Sequence, residues 1–270
     1  MHDRLKAFKT ITAKNNPHHR YLQNAARGKC PDLVWLEGFR LCETALEAGF
    51  FPQAVVCSRE LFTTAQVERF VGLLDRLHGR LPDVRLRLNL SPALMKGLCA
   101  TVRPQGILML VDRPVPPLPD PSEIRRGFLV AEHLQDPGNM GTLIRIADAF
   151  ALDGLMYTAN CADPWQDKVV RASMGSVFHI PLIRFVSTSD LFSFLNRSNI
   201  STLAAALEGE DLKAVRADLP AALLIGNEGR GLSAETLALA DRRVTISMPG
   251  RSESLNAAVA AGICCFHFFS

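Results

Sequence analysis

This sequence lacks the features that define several large protein classes. No apolar run reaches the roughly 20 residues that a membrane-spanning helix needs, and the opening Met1-His-Asp-Arg-Leu-Lys carries no apolar stretch of a secretory signal. A cytoplasmic protein with no membrane partner is expected. The seven cysteines (Cys30, Cys42, Cys57, Cys99, Cys161, Cys264 and Cys265) are odd in number and contain no Cys-x-x-Cys pair. That argues against a disulfide framework and against zinc, and no metal is expected. Most of them lie in apolar segments, where cysteine behaves as a small buried hydrophobe. No Gly-x-Gly-x-x-Gly follows a first strand and no Walker loop is present, which disfavours nucleotide-dependent dehydrogenases and P-loop enzymes.

What is present is an ordinary globular balance, 48% hydrophobic and 21% charged, in a chain of 270 residues, long enough for two domains with full cores. The net charge of +3 conceals an asymmetry. Residues 1–113 carry 17 Lys and Arg against 10 Asp and Glu, a net of +7, whereas residues 114–270 carry 13 against 17, a net of −4. The excess is densest at the start, where Arg4, Lys6, Lys9, Lys14, Arg20, Arg27 and Lys29 meet a single acid, Asp3. A basic module joined to an acidic one fits a polyanion gripped by the first half, although a solubilising surface would look the same.

The stretch Arg113-Pro-Val-Pro-Pro-Leu-Pro-Asp-Pro121 is too proline-rich for a helix or central strand, and reads as a semi-rigid linker over 113–122. It separates a domain at 1–112 from one at 123–270. In the first, strands are expected at 33–36, 53–57, 84–88 and 106–111, with helices at 39–48, 64–77 and 91–98, making a small α/β sandwich. In the second, strands are expected at 128–131, 155–158, 180–184, 201–205, 222–225 and 244–246. Several are apolar on both faces, as a parallel sheet covered by helices requires. The intervening helices are placed at 141–150, 167–174, 189–195, 233–239 and 254–266.

Three polar, glycine-bearing clusters stand where apolar strands of the second domain run out. They are Asn139-x-Gly141-x-x-x-Arg145, Gly226-Asn227-Glu228-Gly229-Arg230-Gly231, and Met248-x-Gly250-x-x-Glu253-Ser254-Leu255-Asn256. Loops at the carboxyl ends of strands in open α/β sheets are where ligand sites form. Each cluster also has a plain structural reading: a helix start with a surface arginine, a glycine turn, and an N-cap at Ser254 or Asn256. Lys168, Arg171 and Ser173 suit phosphate contact or, equally, a solvated helix face.

Together the clusters resemble the three motifs of the SpoU/TrmH family, the SPOUT-class RNA ribose methyltransferases. One departure is visible: Ser247 stands where the family pattern leads one to expect proline. The resemblance extends to the first half, where Trp35-Leu-Glu37-Gly38-Phe-Arg40-Leu-Cys-Glu43 is similar to the substrate-binding domain of many members. It implies a small ribosomal-protein-like α/β domain that holds RNA, followed by a SPOUT-type α/β domain with a deep trefoil knot, and a homodimer. It implies S-adenosylmethionine as cofactor, held by Gly226, Ile246, Met248, Leu255 and Asn256. It implies an RNA partner, ribosomal RNA before transfer RNA, methylated at a ribose 2′-hydroxyl.

The catalytic residues implied are Arg145, Asn139, Glu228, Ser254 and Asn256. A guanidinium holds its proton too tightly to be an easy base, so Arg145 is expected to stabilise the developing alkoxide. Glu228 is expected to fix Arg145 by a charge-assisted hydrogen bond, Asn139 to orient the ribose or Arg145, and Ser254 with Asn256 to position the hydroxyl and cofactor. A SPOUT-type base methyltransferase and a non-catalytic RNA-binding protein are the alternatives the residues leave open.

Overall fold

The computed structural model describes residues 7–77, 79–251 and 253–270. Asp3, Arg4 and Lys6 of the N-terminal charge cluster lie outside them. Two compact units form, Met1–Pro114 with Trp165–Asp167, and Val115–Pro164 with Lys168–Ser270. The grouping of Trp165–Asp167 with the first unit is a tertiary property that the order of apolar segments along the chain does not carry.

The first unit holds β1 (Lys9–Ile11), α1 (Pro17–Ala26), β2 (Leu33–Glu37), α2 (Phe39–Glu47), β3 (Pro52–Cys57), α3 (Thr64–Asp75), β4 (Leu86–Leu90), α4 (Pro92–Lys96) and β5 (Ile107–Asp112). Its sheet runs β1-β4-β3-β5-β2; β1, β4 and β3 are parallel, and β5 is antiparallel to both β3 and β2. Phe8, Phe70, Phe62 and Phe39 form a chain of ring contacts at 5.6, 5.3 and 5.7 Å between centroids. Neither β1 nor α1 is anticipated from the sequence. β1 has only three residues, and α1 is mostly polar, burying only His19, Leu22 and Ala25. Its start is nevertheless marked by Asn16-Pro17, with the Asn16 side chain accepting from the His18 amide at 2.9 Å. β4 begins later than expected because Leu81–Asp83 forms a 3-10 turn before it.

The second unit holds β6 (Gly127–Ala131), α5 (Pro137–Ala149), β7 (Gly154–Thr158), α6 (Asp167–Ala172), β8 (Leu182–Phe185), α7 (Thr188–Arg197), β9 (Ser201–Asp211), β10 (Ala221–Ile225), α8 (Ala234–Leu239), β11 (Arg242–Thr245) and α9 (Ala257–Phe269). The strands make one parallel sheet, β11-β9-β10-β6-β7-β8. β6, β7 and β10 are buried at every residue, the pattern of strands covered on both faces. Phe128, Val130, Met156, Leu224 and neighbouring apolar side chains pack on one face with Leu191, Phe194 and Leu195 of α7. The chain builds outward from β6 through β7 to β8, then returns to the other side of β6 for β9, β10 and β11. The reversal falls between β6 and β10, and in open α/β sheets a crevice opens beyond the carboxyl ends of the strands at such a point.

Two element boundaries differ from expectation in ways that matter for the site. α5 starts at Pro137, not Gly141, because Asp136 caps it and Pro137 supplies a pre-set first turn; the Asp136 Oδ1 accepts from the Asn139 amide at 2.8 Å. α9 starts at Ala257, not Ser254, with Asn256 as its N-cap.

Burial pushes the thiols of Cys57, Cys99 and Cys265 up to about 12 and that of Cys264 to about 11. These groups stay protonated at neutral pH, which is the behaviour of packing residues and not of nucleophiles.

Candidate active site

The loops after β6, β10 and β11 bring the three polar clusters into contact through one asparagine. The Asn139 Nδ2 donates to Glu228 Oε1 at 2.7 Å, and its Oδ1 accepts from Asn256 Nδ2 at 2.9 Å. Asn256 Oδ1 in turn accepts from the backbone amides of Ala258 and Val259 at 2.9 and 3.3 Å. The direction of this relay is dictated at both ends. Backbone amides only donate, so Asn256 must turn its oxygen to α9 and its NH₂ to Asn139; Asn139 must then turn its own NH₂ to the carboxylate of Glu228. The N-cap reading of Asn256 holds, and capping the helix also aims its amide at Asn139.

Asn256→Asp should separate the two roles. Aspartate caps a helix as well as asparagine, but it cannot donate to Asn139. The melting temperature should stay close to that of the native chain while turnover falls, whereas Asn256→Ala should also cost about 0.5–2 kcal/mol in stability. Thermal unfolding alongside a methyl-transfer assay checks both.

The second cluster is a closed loop. The Asn227 and Gly231 backbones bond each other in both directions, at 3.0 and 2.9 Å. The Asn227 side chain accepts from the amides of Gly229 and Arg230 and donates to the His133 carbonyl at 3.0 Å. A Cβ on Gly226 would lie 2.2 Å from the Gly231 carbonyl carbon, so only glycine fits there. Beneath the loop, Glu132 is a buried carboxylate whose role the sequence reading missed. It accepts from the Ser233 amide and hydroxyl and from the Thr236 hydroxyl, at 2.8, 2.9 and 2.6 Å, anchoring the start of α8. The available signal was an acid closing the apolar run Phe128-Leu-Val-Ala.

A cavity of about 530 Å³ opens beside this loop, lined by Gly226, Glu228, Ile246, Met248, Ser254 and Leu255 among others. Its volume is that of a small-molecule site. Four of the five residues expected to hold the cofactor lie in its wall. Asn256 does not; its side chain is committed to Asn139 and to the α9 amides. The lining combines apolar side chains from Ile225, Ile246, Met248 and Leu255 with charges of both signs, Glu208, Glu228 and Glu253 against Arg230 and Arg243, and suits a ligand with an apolar ring and charged groups. Ser247, in place of the expected proline, gives the loop an anchor of its own: its hydroxyl donates to Asp211 at the end of β9. That hydrogen bond, with one from the Lys213 amide, holds the Asp211 carboxyl below the usual range.

Arg145 departs from expectation. It is exposed on α5, does not line the cavity, and forms no hydrogen bond or ion pair among the described residues. The expected Glu228–Arg145 bond is not made; Glu228 accepts instead from Asn139 and from Asn227 at 3.4 Å. The cause lies in the helix start. With Asn139 already inside α5, six residues at 100° each put Arg145 roughly 120° away around the axis. Ser173 is likewise corrected: it is fully buried, its hydroxyl donating to the Val170 carbonyl at 2.8 Å, and cannot meet a phosphate. Lys168 is exposed.

The family model of the SpoU rRNA methylases matches residues 127–266, which span every element of this site. The chain belongs to the SpoU rRNA methylase family. Among relatives of this SpoU chain, an uncharacterized tRNA/rRNA methyltransferase of Synechocystis is 32% identical over 94% of this chain and 91% of its own. The 23S rRNA (guanosine(2553)-2′-O)-methyltransferase RlmP of Bacillus subtilis is 34% identical over 66% of this chain and 70% of its own. Among solved structures, an AdoMet-bound rRNA methyltransferase from Sinorhizobium meliloti superposes with a TM-score of 0.84 at 28% identity, covering 96% of this chain and 97% of that one. The SpoU match encloses the asparagine relay and the cavity together.

Proposed function

We propose that this chain transfers a methyl group from S-adenosylmethionine to a ribose 2′-hydroxyl of ribosomal RNA. The observation that carries the reading is the Glu228–Asn139–Asn256 relay beside a cavity of cofactor size, within a SpoU domain. Gly226, Ile246, Met248 and Leu255 would hold the cofactor, which supplies an electrophilic methyl on a sulfonium centre. Glu228, in the cavity wall and at the end of the relay, would offer a carboxylate to the positive charge. Ser254, also in the cavity wall, would meet the incoming hydroxyl. The first unit, basic in sequence and similar to a ribosomal-protein fold, holds the RNA.

The catalytic assembly is a homodimer in a cytoplasmic protein, and the C-terminal segment is threaded as a trefoil knot. Two observations support the dimer. α9 exposes Val259, Ile263 and Phe266, spaced along one face, with Phe266 68% accessible. Arg145, exposed on the neighbouring helix α5, forms no bond with its own protomer's relay, so the arginine that completes each site would come from the partner. Phe266→Asp should convert a dimer to a monomer in light scattering and abolish transfer, with the fold retained by circular dichroism. A native chain of monomeric mass would remove the dimer from this reading.

The reaction itself is tested by transferring labelled methyl to total unmodified RNA, followed by alkaline digestion. Label in hydrolysis-resistant dinucleotides supports ribose methylation, since a methylated 2′-oxygen cannot attack the adjacent phosphate. Label in ordinary mononucleotides would replace this reading with base methylation.

A further inference from the structure

The first unit carries a second cavity, remote in sequence from every motif of the SpoU domain. About 410 Å³ in volume, it lies at the end of the sheet where β2, β3 and β4 begin and β5 finishes, and His18, Tyr21, Gln53, Arg85 and Asp112 line it. Its chemistry is unusual for a surface hollow. Tyr21 is one of only two tyrosines in the chain and leaves 39% of its surface accessible. Gln53 Nε2 donates to Asp112 Oδ2 at 2.7 Å, which holds the carboxylate in place at the wall. That carboxylate keeps Oδ1 and a second lone pair on Oδ2 for an incoming donor. The Tyr21 phenol is raised above its usual range by burial first and Cys30 next, with Arg85 opposing and Asp112 reinforcing. The ring, the guanidinium and the carboxylate therefore act on one small volume.

We propose that this cavity binds an unpaired guanine base of the RNA, stacked against Tyr21 and read by Asp112. The inference rests on the RNA reading above and names a contact for it away from the cofactor. Unpaired bases are recognised by stacking on aromatic or guanidinium planes and by hydrogen bonds to their exposed edges. A carboxylate offers two acceptors side by side, and guanine alone among the four bases presents two adjacent donors, N1–H and the 2-amino group. Arg85 and His18, also in the lining, would meet the flanking phosphate, and the net charge of +7 over residues 1–113 favours a polyanion over a neutral or basic ligand.

The test uses the full chain and three labelled oligonucleotides: octauridylate, the same with one central guanosine, and the same with inosine there, which lacks the 2-amino group. The guanosine oligonucleotide should bind about tenfold tighter than octauridylate, with inosine losing most of the gain. Asp112→Asn and Tyr21→Ala should each remove the preference, while octauridylate affinity stays within about twofold of native. Asp112 is exposed, so its conservative variant keeps the test valid if Tyr21→Ala disturbs folding. A 6-thioguanosine probe should crosslink to the peptide holding Tyr21. No guanosine preference in the native chain, a preference undiminished by Asp112→Asn, or crosslinks confined to other peptides would each overturn the proposal. Methyl transfer assayed on the same preparations separates the two ideas. Transfer without guanosine preference removes the base pocket alone; preference without transfer keeps the pocket and removes the methyltransferase reading.

Discussion

Arg145→Ala is expected to lower methyl transfer by about 10²–10³-fold or more while leaving the affinity for S-adenosylmethionine unchanged. The magnitude is that of deleting one donor aimed at developing negative charge. The selectivity follows from position: Arg145 lies on α5 outside the cavity wall, so its loss removes nothing that touches the cofactor. Cofactor binding by calorimetry and single-turnover transfer to RNA check the two halves separately. Weakened cofactor binding with unchanged transfer would remove Arg145 from the reacting centre.

The same variant tests where the arginine acts. If each site joins one protomer's relay to the other's Arg145, two inactive chains should complement each other. Mixing Arg145→Ala with Glu228→Ala after dissociation gives half heterodimers, each with one intact composite site, so about a quarter of native activity should return. Were Arg145 to serve its own protomer's relay, both sites of every heterodimer would carry a defect and the mixture would stay inactive.

The parts of this site legible in the sequence were those set by local rules. Gly226 to Gly231 and Ser254 to Asn256 follow apolar strands, and glycine and cap chemistry there announces loops. The sheet strands β6, β7 and β10 were visible as short apolar runs, because a strand covered on both faces needs no polar alternation. What was not legible depended on a third dimension. The start of α5 was locally encoded in Asp136-Pro137, but reading Asn139 and Gly141 as loop residues hid it, and that error turned Arg145 toward the wrong side. The partners of Glu228 could not be read either. It lies 89 positions from Asn139, and Asn256 lies 117 beyond Asn139, so the relay exists only once the sheet order has been set. α1 escaped for an energetic reason: a helix burying three residues leaves little apolar periodicity to read.

Gly226→Ala should abolish cofactor binding, and Gly229→Ala, three residues away in the same loop, should not. A Cβ at Gly226 would sit 2.2, 2.3 and 2.4 Å from the Gly231 carbonyl carbon, the Leu232 nitrogen and the Gly231 oxygen. These are backbone atoms and cannot rotate aside, so the loop must open. Opening breaks the paired Asn227–Gly231 backbone bonds and displaces Glu228 from both the cavity and Asn139. Forcing atoms into a packed site costs about 1–3 kcal/mol of stability. A misplacement on the order of 1 Å at a catalytic group costs about 100-fold in rate, so turnover should fall with binding. At Gly229 a Cβ would meet only the Asn227 Oδ1, at 3.7 Å, an ordinary contact. Both glycines line the cavity, so the pair separates steric closure of the loop from bulk added to the pocket. Calorimetric titration of the cofactor into each variant, with thermal unfolding beside it, gives the answer: equal losses at the two positions would mean that the cavity wall itself, and not the closed loop, governs binding.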